Sequence, residues 1–238
     1  MAVKYSIIIP SYNEEKRIES TLTSIEKFFK EKNDDVEIIV VNDGSKDKTS
    51  EVVQKNQALY KNIKLIEFPD NSGKGNAIKI GAENSSGDYI LFTDADDSTP
   101  IEEIVNFQKH LENYEIIIGS RKLEKSIIEI EQPLHRKIIA RIGHFFISNL
   151  VKNIKDTQCG FKLVKKDIAL KIFAKQKIKR FGFDVEFLAI AQLYNLKILE
   201  LPIKWKNVSG STFRPILDSI LTIKDLITIR YNLFRKKY

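Results

Sequence analysis

The chain has 238 residues, 42% apolar and 10% aromatic, enough to fill a core, which excludes disorder throughout. Its formal net charge of +7 is unevenly spread: residues 1–119 carry 14 Lys/Arg against 22 Asp/Glu, and residues 120–238 carry 25 against 10, a split that points to two different partners. Cys159 is the one cysteine, so an intrachain disulfide is excluded and a reducing compartment is expected.

The opening residues lack the pattern of a signal peptide, and no uninterrupted apolar run approaches the roughly 18 residues of a spanning helix, so a soluble or peripheral protein is expected. In chain order, short β-branched runs alternate with helical patterns. Tyr5–Ile9 reads as a strand, Ser11-Tyr12-Asn13 as the loop after it, and Ile18, Leu22, Ile25 and Phe29 as one face of a helix. Glu37–Val41 is a second strand, broken by Asn42-Asp43-Gly44-Ser45; Lys64–Phe68, Tyr89–Thr93 and Ile116–Ile118 continue the series. Continuous apolar strands separated by helices imply a mostly parallel sheet covered on both faces, an α/β fold. Thr99-Pro100-Ile101-Glu102 reads as a helix start with a Thr cap and a capping-box Glu.

The second half reads differently. Lys122–Pro133 is a long loop and a candidate mobile segment. Leu134–Lys152 has Leu134, Ile138, Ile142, Phe145, Phe146 and Leu150 at helical spacing, interrupted by Arg136, Lys137, Arg141 and His144. After Pro215, Ile216–Phe234 is an Ile- and Leu-rich candidate helix that ends in Arg235-Lys236-Lys237.

Asp94-Ala95-Asp96-Asp97 follows a strand, at the sheet edge where α/β folds bind ligands. Asp94 and Asp96 supply hard oxygen ligands for Mg²⁺ or Mn²⁺, and acids this crowded repel one another unless a cation offsets them. The plainer reading is a solvated loop in which Asp97 helps cap the next helix. Asp43-Gly44-Ser45 puts another carboxylate on the same edge, able to accept hydrogen bonds from a base or ribose, although Asp-Gly is also common turn chemistry. Asn71-Ser72-Gly73-Lys74-Gly75 places two glycines and a cation before a helix, an anion-binding arrangement with Lys74 aimed at phosphate. It lacks the spacing of a Walker A loop.

Together Ser6–Glu15, Val41–Ser45, Asn71–Gly75 and Asp94-Ala95-Asp96, in this order, resemble the inverting family 2 glycosyltransferases of GT-A fold, which use nucleotide-sugar donors. Gly119-Ser120-Arg121, Asp156–Lys162 and Phe181–Glu186 extend the likeness to the polyprenyl- or dolichyl-phosphate branch, with its β-glucosyltransferase and mannose synthase subfamilies. The resemblance spans residues 4 to about 212. It implies a Rossmann-like, mostly parallel sheet flanked by helices, with amphipathic helices at the C-terminal end. The division it implies is a domain over 1–212, with 1–119 meeting the nucleotide sugar and 120–212 the acceptor, and a basic helical segment over 213–238.

Position by position, the resemblance implies that Pro10, Tyr12 and Glu14 shape the nucleotide pocket. Asp43 would bind the base, and Lys74 would lie near it or the diphosphate. Asp94 would meet the ribose or metal, and Asp96 would ligate the metal. Arg121 and Arg136 match basic positions that hold an acceptor phosphate, although a position where the family often has a hydroxyl is Ala140 here. Asp156 matches a carboxylate near the acceptor. Asp96, Arg121 and Asp156 are thus the expected catalytic set, with Mg²⁺ or Mn²⁺ as cofactor.

The expected reaction is inverting transfer of a hexose, from UDP-glucose ahead of GDP-mannose, to a lipid phosphate on the cytoplasmic face of a membrane. A lipid phosphate is largely dianionic near neutral pH, with a second pKa of about 6, and attacks without a general base. A glycan hydroxyl in surface-polysaccharide synthesis is the alternative acceptor; it would need a base, with Asp184, Glu186 or Asp156 as candidates. Members of the branch with membrane anchors have no counterpart segment here, which leaves Leu134–Lys152 and Ile216–Phe234 as candidates for peripheral contact with a membrane, against the simpler reading that both pack on the sheet. Nucleic acid is not an expected partner: no RRM, KH, zinc or helix-turn-helix pattern is present, and the Asp94–Asp97 loop would repel it. A catalytically silent scaffold is disfavoured because the acidic, Gly-rich and basic motifs are all intact.

Overall fold

The computed structural model describes residues 5–130, 147–210 and 215–238. Strands β1 (Tyr5–Ser11), β2 (Val36–Asn42), β3 (Ile63–Glu67), β4 (Tyr89–Phe92), β5 (Ile116–Ser120), β7 (Lys162–Lys165) and β8 (Ile198–Pro202) form one sheet in the order β3-β2-β1-β4-β7-β5-β8. All run parallel except β7, which is antiparallel to both β4 and β5. A second, two-stranded sheet pairs β6 (Ile127–Ile130) with β9 (Lys204–Lys206).

The apolar strands are buried on both faces, as their unbroken Ile and Val runs require. Alternate residues divide between two cores. Ile7, Ile9, Ile38 and Val40 face α1 (Ile18–Lys32), α2 (Thr49–Leu59) and α4 (Ile104–Gln108). Ile8, Ile39 and Val41 face α3 (Lys74–Glu83), α5 (Lys166–Phe173), α6 (Phe183–Leu193) and α7 (Pro215–Phe234). The α1 stripe of Ile18, Leu22, Ile25 and Phe29 is buried as its spacing predicts. The C-terminal helix contributes Leu226 and Ile229 to the second core. So does the described end of the Leu134–Lys152 stretch, through Ile147 and Val151.

Two local expectations are corrected, and the plainer reading of the Asp97 loop is set aside. The capping box at Thr99 does not form: Pro100 is extended (φ −58, ψ 140), and a 3-10 turn, Ile101–Glu103, opens the helical segment without a side-chain cap. Thr99 is instead buried. The segment Lys122–Pro133, expected as one loop, contains β6, which pairs with β9, and its last residues, 131–133, lie outside the described residues. Asp97 does not act as a cap for solvent to surround; it takes a left-handed turn (φ 52) and pairs with Lys206 at 3.2 Å.

Because β1, β2, β4 and β5 are parallel, the loops after them, starting at Tyr12, Asp43, Thr93 and Arg121, emerge on one edge. The antiparallel β7 begins at that edge, so the Asp156–Phe161 segment that precedes it arrives there too. Topology therefore gathers five separate motifs at the carboxyl ends of the strands.

Candidate active site

A cleft of about 720 Å³ opens on this edge, within the size range of small-ligand sites. It is lined by Pro10, Ser11, Tyr12, Asn13, Glu14, Arg17, Asp43, Asn71, Gly73, Lys74, Asp94, Ala95, Asp96, Arg180, Phe181 and Asp218. Every residue expected to hold the nucleotide sugar is among them. Arg121 and Asp156 sit on the same edge beside the lining, and Arg136 lies outside the described residues.

The first two loops are sewn together by hydrogen bonds that explain their composition. Asn13, in the left-handed region (φ 56) that Asn tolerates, donates its backbone N–H to Ser45 Oγ at 2.9 Å and accepts from Lys46 N at 2.8 Å. Glu14 N donates to Thr49 Oγ1 at 2.8 Å, and Lys48 N donates to Glu15 Oε2 at 2.9 Å. Glu14 also accepts from Arg17 Nε at 2.7 Å and Nη2 at 2.6 Å. Burial pushes the Glu14 carboxyl up to about 7, against the pull of Arg17 and with help from Asp96 and Asp94.

Asp43 is 3% exposed and organises the next wall. Its carboxylate accepts from Ser72 N and Ser72 Oγ, both at 2.7 Å, and from Gly73 N at 2.8 Å. Gly73 has φ +103, and a Cβ there would meet the Lys179 carbonyl at 2.5 Å, so only glycine fits this turn. The turn opens α3 with Lys74, whose ammonium lies 2.5 Å from Asp94 Oδ1.

Asp94 and Asp96 are differentiated by their neighbours. Burial would raise the Asp94 carboxyl, but Lys74, Arg121 and Lys162 outweigh it and hold it low. Asp96 is raised by burial and by the Asp94 charge; it accepts from Ser98 N at 3.1 Å and lies 3.8 Å from Arg17. Thr21 Oγ1 on α1 fixes the loop between them, donating to the Ala95 carbonyl at 2.9 Å. Gly160 backs onto Asp94 so closely that a methyl group would collide with the carboxylate. Two carboxylates in mutual repulsion, still partly exposed to the cleft, suit a hard divalent cation. Among the described residues no cluster of three or more His, Cys, Asp or Glu side chains forms a complete metal site. Two carboxylates alone leave most positions of a six-coordinate ion to water or other oxygen ligands.

Beside the cleft, Arg121 makes a bidentate pair with Asp156: Nε to Oδ2 at 2.7 Å and Nη2 to Oδ1 at 2.8 Å, with the Arg121 backbone N–H at 3.0 Å. Burial would raise Asp156, but Arg121 outweighs it and holds the carboxyl well below the usual range. The guanidinium also stands 5.5 Å from the Trp205 ring centre. Lys162, 1% exposed, donates to Asp184 and, at 2.5 Å, to the Cys159 carbonyl. Glu186 is fully buried and accepts from Lys177 N, Ile178 N and the Tyr238 hydroxyl. Burial pushes the Cys159 thiol up to about 11, which leaves it protonated and inert near neutral pH.

Arg17, Arg180, Phe181 and Asp218 were not singled out for this cleft by sequence. Arg17 had a readable signal, an i,i+3 spacing from Glu14 at the start of α1. Asp218 had none, since it comes from a helix that follows the last motif of the resemblance.

Comparison with known proteins agrees with this arrangement. Residues 6–173 match the family model described as Glycosyl transferase family 2. The chain is 38% identical over 240 residues to the dolichyl-phosphate beta-glucosyltransferase of Dictyostelium discoideum, covering 95% of this chain and 73% of that protein. It is 37% identical over 243 residues to the Homo sapiens protein of the same name, covering 94% and 74%. The fold superposes on glucosyl-3-phosphoglycerate synthase from Mycobacterium tuberculosis, solved with Mn²⁺, UDP and glucosyl-3-phosphoglycerate, with a TM-score of 0.70 at 19% identity, covering 95% of this chain and 80% of that one. The chain belongs to glycosyl transferase family 2, a glycosyltransferase of GT-A fold.

Proposed function

We propose that the protein transfers glucose from UDP-glucose to a polyprenyl phosphate of the dolichyl type, inverting the anomeric configuration, on the cytoplasmic face of a membrane. The likeness to dolichyl-phosphate β-glucosyltransferases over nearly the whole chain supports the substrates. The observation that carries the choice of acceptor is the state of the three carboxylates that could serve a hydroxyl acceptor as base. Asp156 is locked to Arg121, Asp184 to Lys162, and Glu186 to two backbone amides and Tyr238. A phosphate acceptor needs none of them, because it arrives already deprotonated.

In this reading Pro10, Tyr12, Glu14 and Asp43 shape the nucleotide end of the cleft, Asp43 by fixing the Ser72–Gly73 turn. Asp94 and Asp96 would hold Mg²⁺ or Mn²⁺, which when bound offsets the charge developing on the departing diphosphate. Lys74 supplies a second fixed cation to the same oxygens; it is kept charged by Asp94 and Asp184, which outweigh the effect of burial. Arg121, braced by Asp156, presents positive charge to the acceptor phosphate without needing to reorganise.

The test is a screen of nucleotide sugars against a short polyprenyl phosphate and against free glycan acceptors, with Mg²⁺ and Mn²⁺, read by mass spectrometry. UDP-glucose with the lipid phosphate is the productive pair, and Asp96→Ala abolishes metal-dependent transfer while the chain stays folded. Transfer to glycan hydroxyls alone, or full activity in Asp96→Ala, would overturn the reading.

A further inference from the structure

The outer face of α7 differs from the rest of the surface. Leu217 (44%), Ile220 (59%), Ile223 (38%), Ile227 (66%), Tyr231 (52%) and Phe234 (82%) all stand exposed on it. Their spacing of three and four residues aligns them in one stripe along the helix, about 25 Å long. The other exposed residues between Leu217 and Phe234 are Lys224 and Arg230, and Arg235, Lys236 and Lys237 follow. Neither acid of the helix shares this face: Asp218 is 2% exposed and Asp225 packs against Gly182. The opposite face is committed to the core through Leu226 and Ile229. The helix therefore presents an apolar strip edged only by positive charge.

We infer that this face is a docking surface for an anionic lipid bilayer, with α7 lying in the plane of the membrane. An apolar strip flanked by Lys and Arg matches the boundary between acyl chains and anionic headgroups. Charge argues against a second copy as the occupant, since a self-complementary contact through this face would set Lys and Arg against Lys and Arg. Among the described residues no helix is long and apolar enough to cross a membrane, which fits contact in the plane rather than insertion across it. The placement also links the surface to the cleft. Asp218, in the first turn of the same helix, lines the cleft, so that wall lies within about one helix diameter, some 10 Å, of the docked face.

Co-sedimentation of the full chain with vesicles tests this in the absence of sugar donor and lipid-phosphate acceptor, so its outcome is independent of the transfer reaction. The chain should bind phosphatidylcholine–phosphatidylglycerol vesicles at low salt and phosphatidylcholine vesicles much more weakly. Replacing exposed side chains in Ile220→Ser/Ile227→Ser/Phe234→Ser should weaken binding at least about tenfold with circular dichroism and melting unchanged. A charge variant, Lys224→Gln/Arg230→Gln/Lys236→Gln/Lys237→Gln, leaves the apolar strip intact and should lose the preference for anionic vesicles. The inference fails if the wild-type chain does not sediment with anionic vesicles at low salt, or if the apolar variant binds as well as wild type. It fails equally if the chain is a dimer in solution that the apolar variant converts to monomer, which would give the face to a second copy.

Discussion

Glu37 ties together segments that share no motif. It is 5% exposed on β2 and accepts from Ser6 Oγ at 2.5 Å, Lys64 Nζ at 2.6 Å, Ser86 Oγ at 2.8 Å and Gly87 N at 3.2 Å. Burial alone would raise its pKa; Lys64, Ser6 and Ser86 outweigh burial and bring it down to about 2. A folded-state value below the unfolded one, about 4.3, means that the stabilisation is fully present above the unfolded pKa. It is lost as pH falls through the folded value. Glu37→Gln should therefore cost on the order of 2–3 kcal/mol at neutral pH, and the gap to wild type should close between about pH 4.5 and 2. Urea midpoints measured across that range check it; a gap that stays constant would mean that contacts, not charge, carry the effect. In the sequence Glu37 is legible as a strand residue and nothing more, because its partners come from three other places in the chain. The cleft residues Tyr12, Asp43, Lys74, Asp94 and Asp96 are legible because each belongs to a motif in a loop next to an apolar strand or helix, where local pattern fixes position.

The element scale shows where local pattern stops. The first four strands and α1 follow from apolar runs and helical spacing, while the reversed β7 could not be read, because four residues do not announce which strands they will pair with. The loop before α6 is a similar case. Residues 177–182 are clamped from below by Glu186 of α6 and from the side by α7, where Asp225 accepts from the Gly182 amide and Asp218 lies 3.8 Å from Arg180. The loop in turn touches the start of α3, with Asn76 N donating to the Lys179 carbonyl at 3.0 Å, and it sends Arg180 and Phe181 into the cleft wall. A Cβ at Gly182 would stand 2.6 Å from Asp225 Cβ, so glycine sets how closely α6 and α7 approach. Gly182→Ala should cost about 1–3 kcal/mol, the usual range for overpacking, and raise the KM for the sugar donor as Arg180 and Phe181 shift. Thermal melting and initial rates measure both; unchanged melting with an unchanged KM would show that α7 is free to move aside.

Across the whole molecule, the +7 net charge resolves into two surfaces. The cleft carries Glu14, Asp43, Asp94, Asp96 and Asp218 against Arg17, Lys74 and Arg180, so much of its charge is paired within the fold. On the outer face of α7 and in the residues after it, every exposed charged side chain is basic: Lys224, Arg230, Arg235, Lys236 and Lys237. Exposed charge is screened by salt over a Debye length of about 8–10 Å near physiological ionic strength, whereas groups in direct contact in a partly buried cleft are screened far less. Raising salt should therefore weaken attachment to anionic vesicles steeply and nucleotide-sugar binding only slightly. Titrating both in one preparation, with Mn²⁺ held constant, checks this. If donor affinity falls as steeply as vesicle binding, the cleft is held by long-range attraction rather than by contacts, and the division of charge between donor and membrane is wrong. If vesicle binding alone falls, the +15 of the second half acts at a distance, to bring the chain to its surface, while the acidic first half acts only at contact.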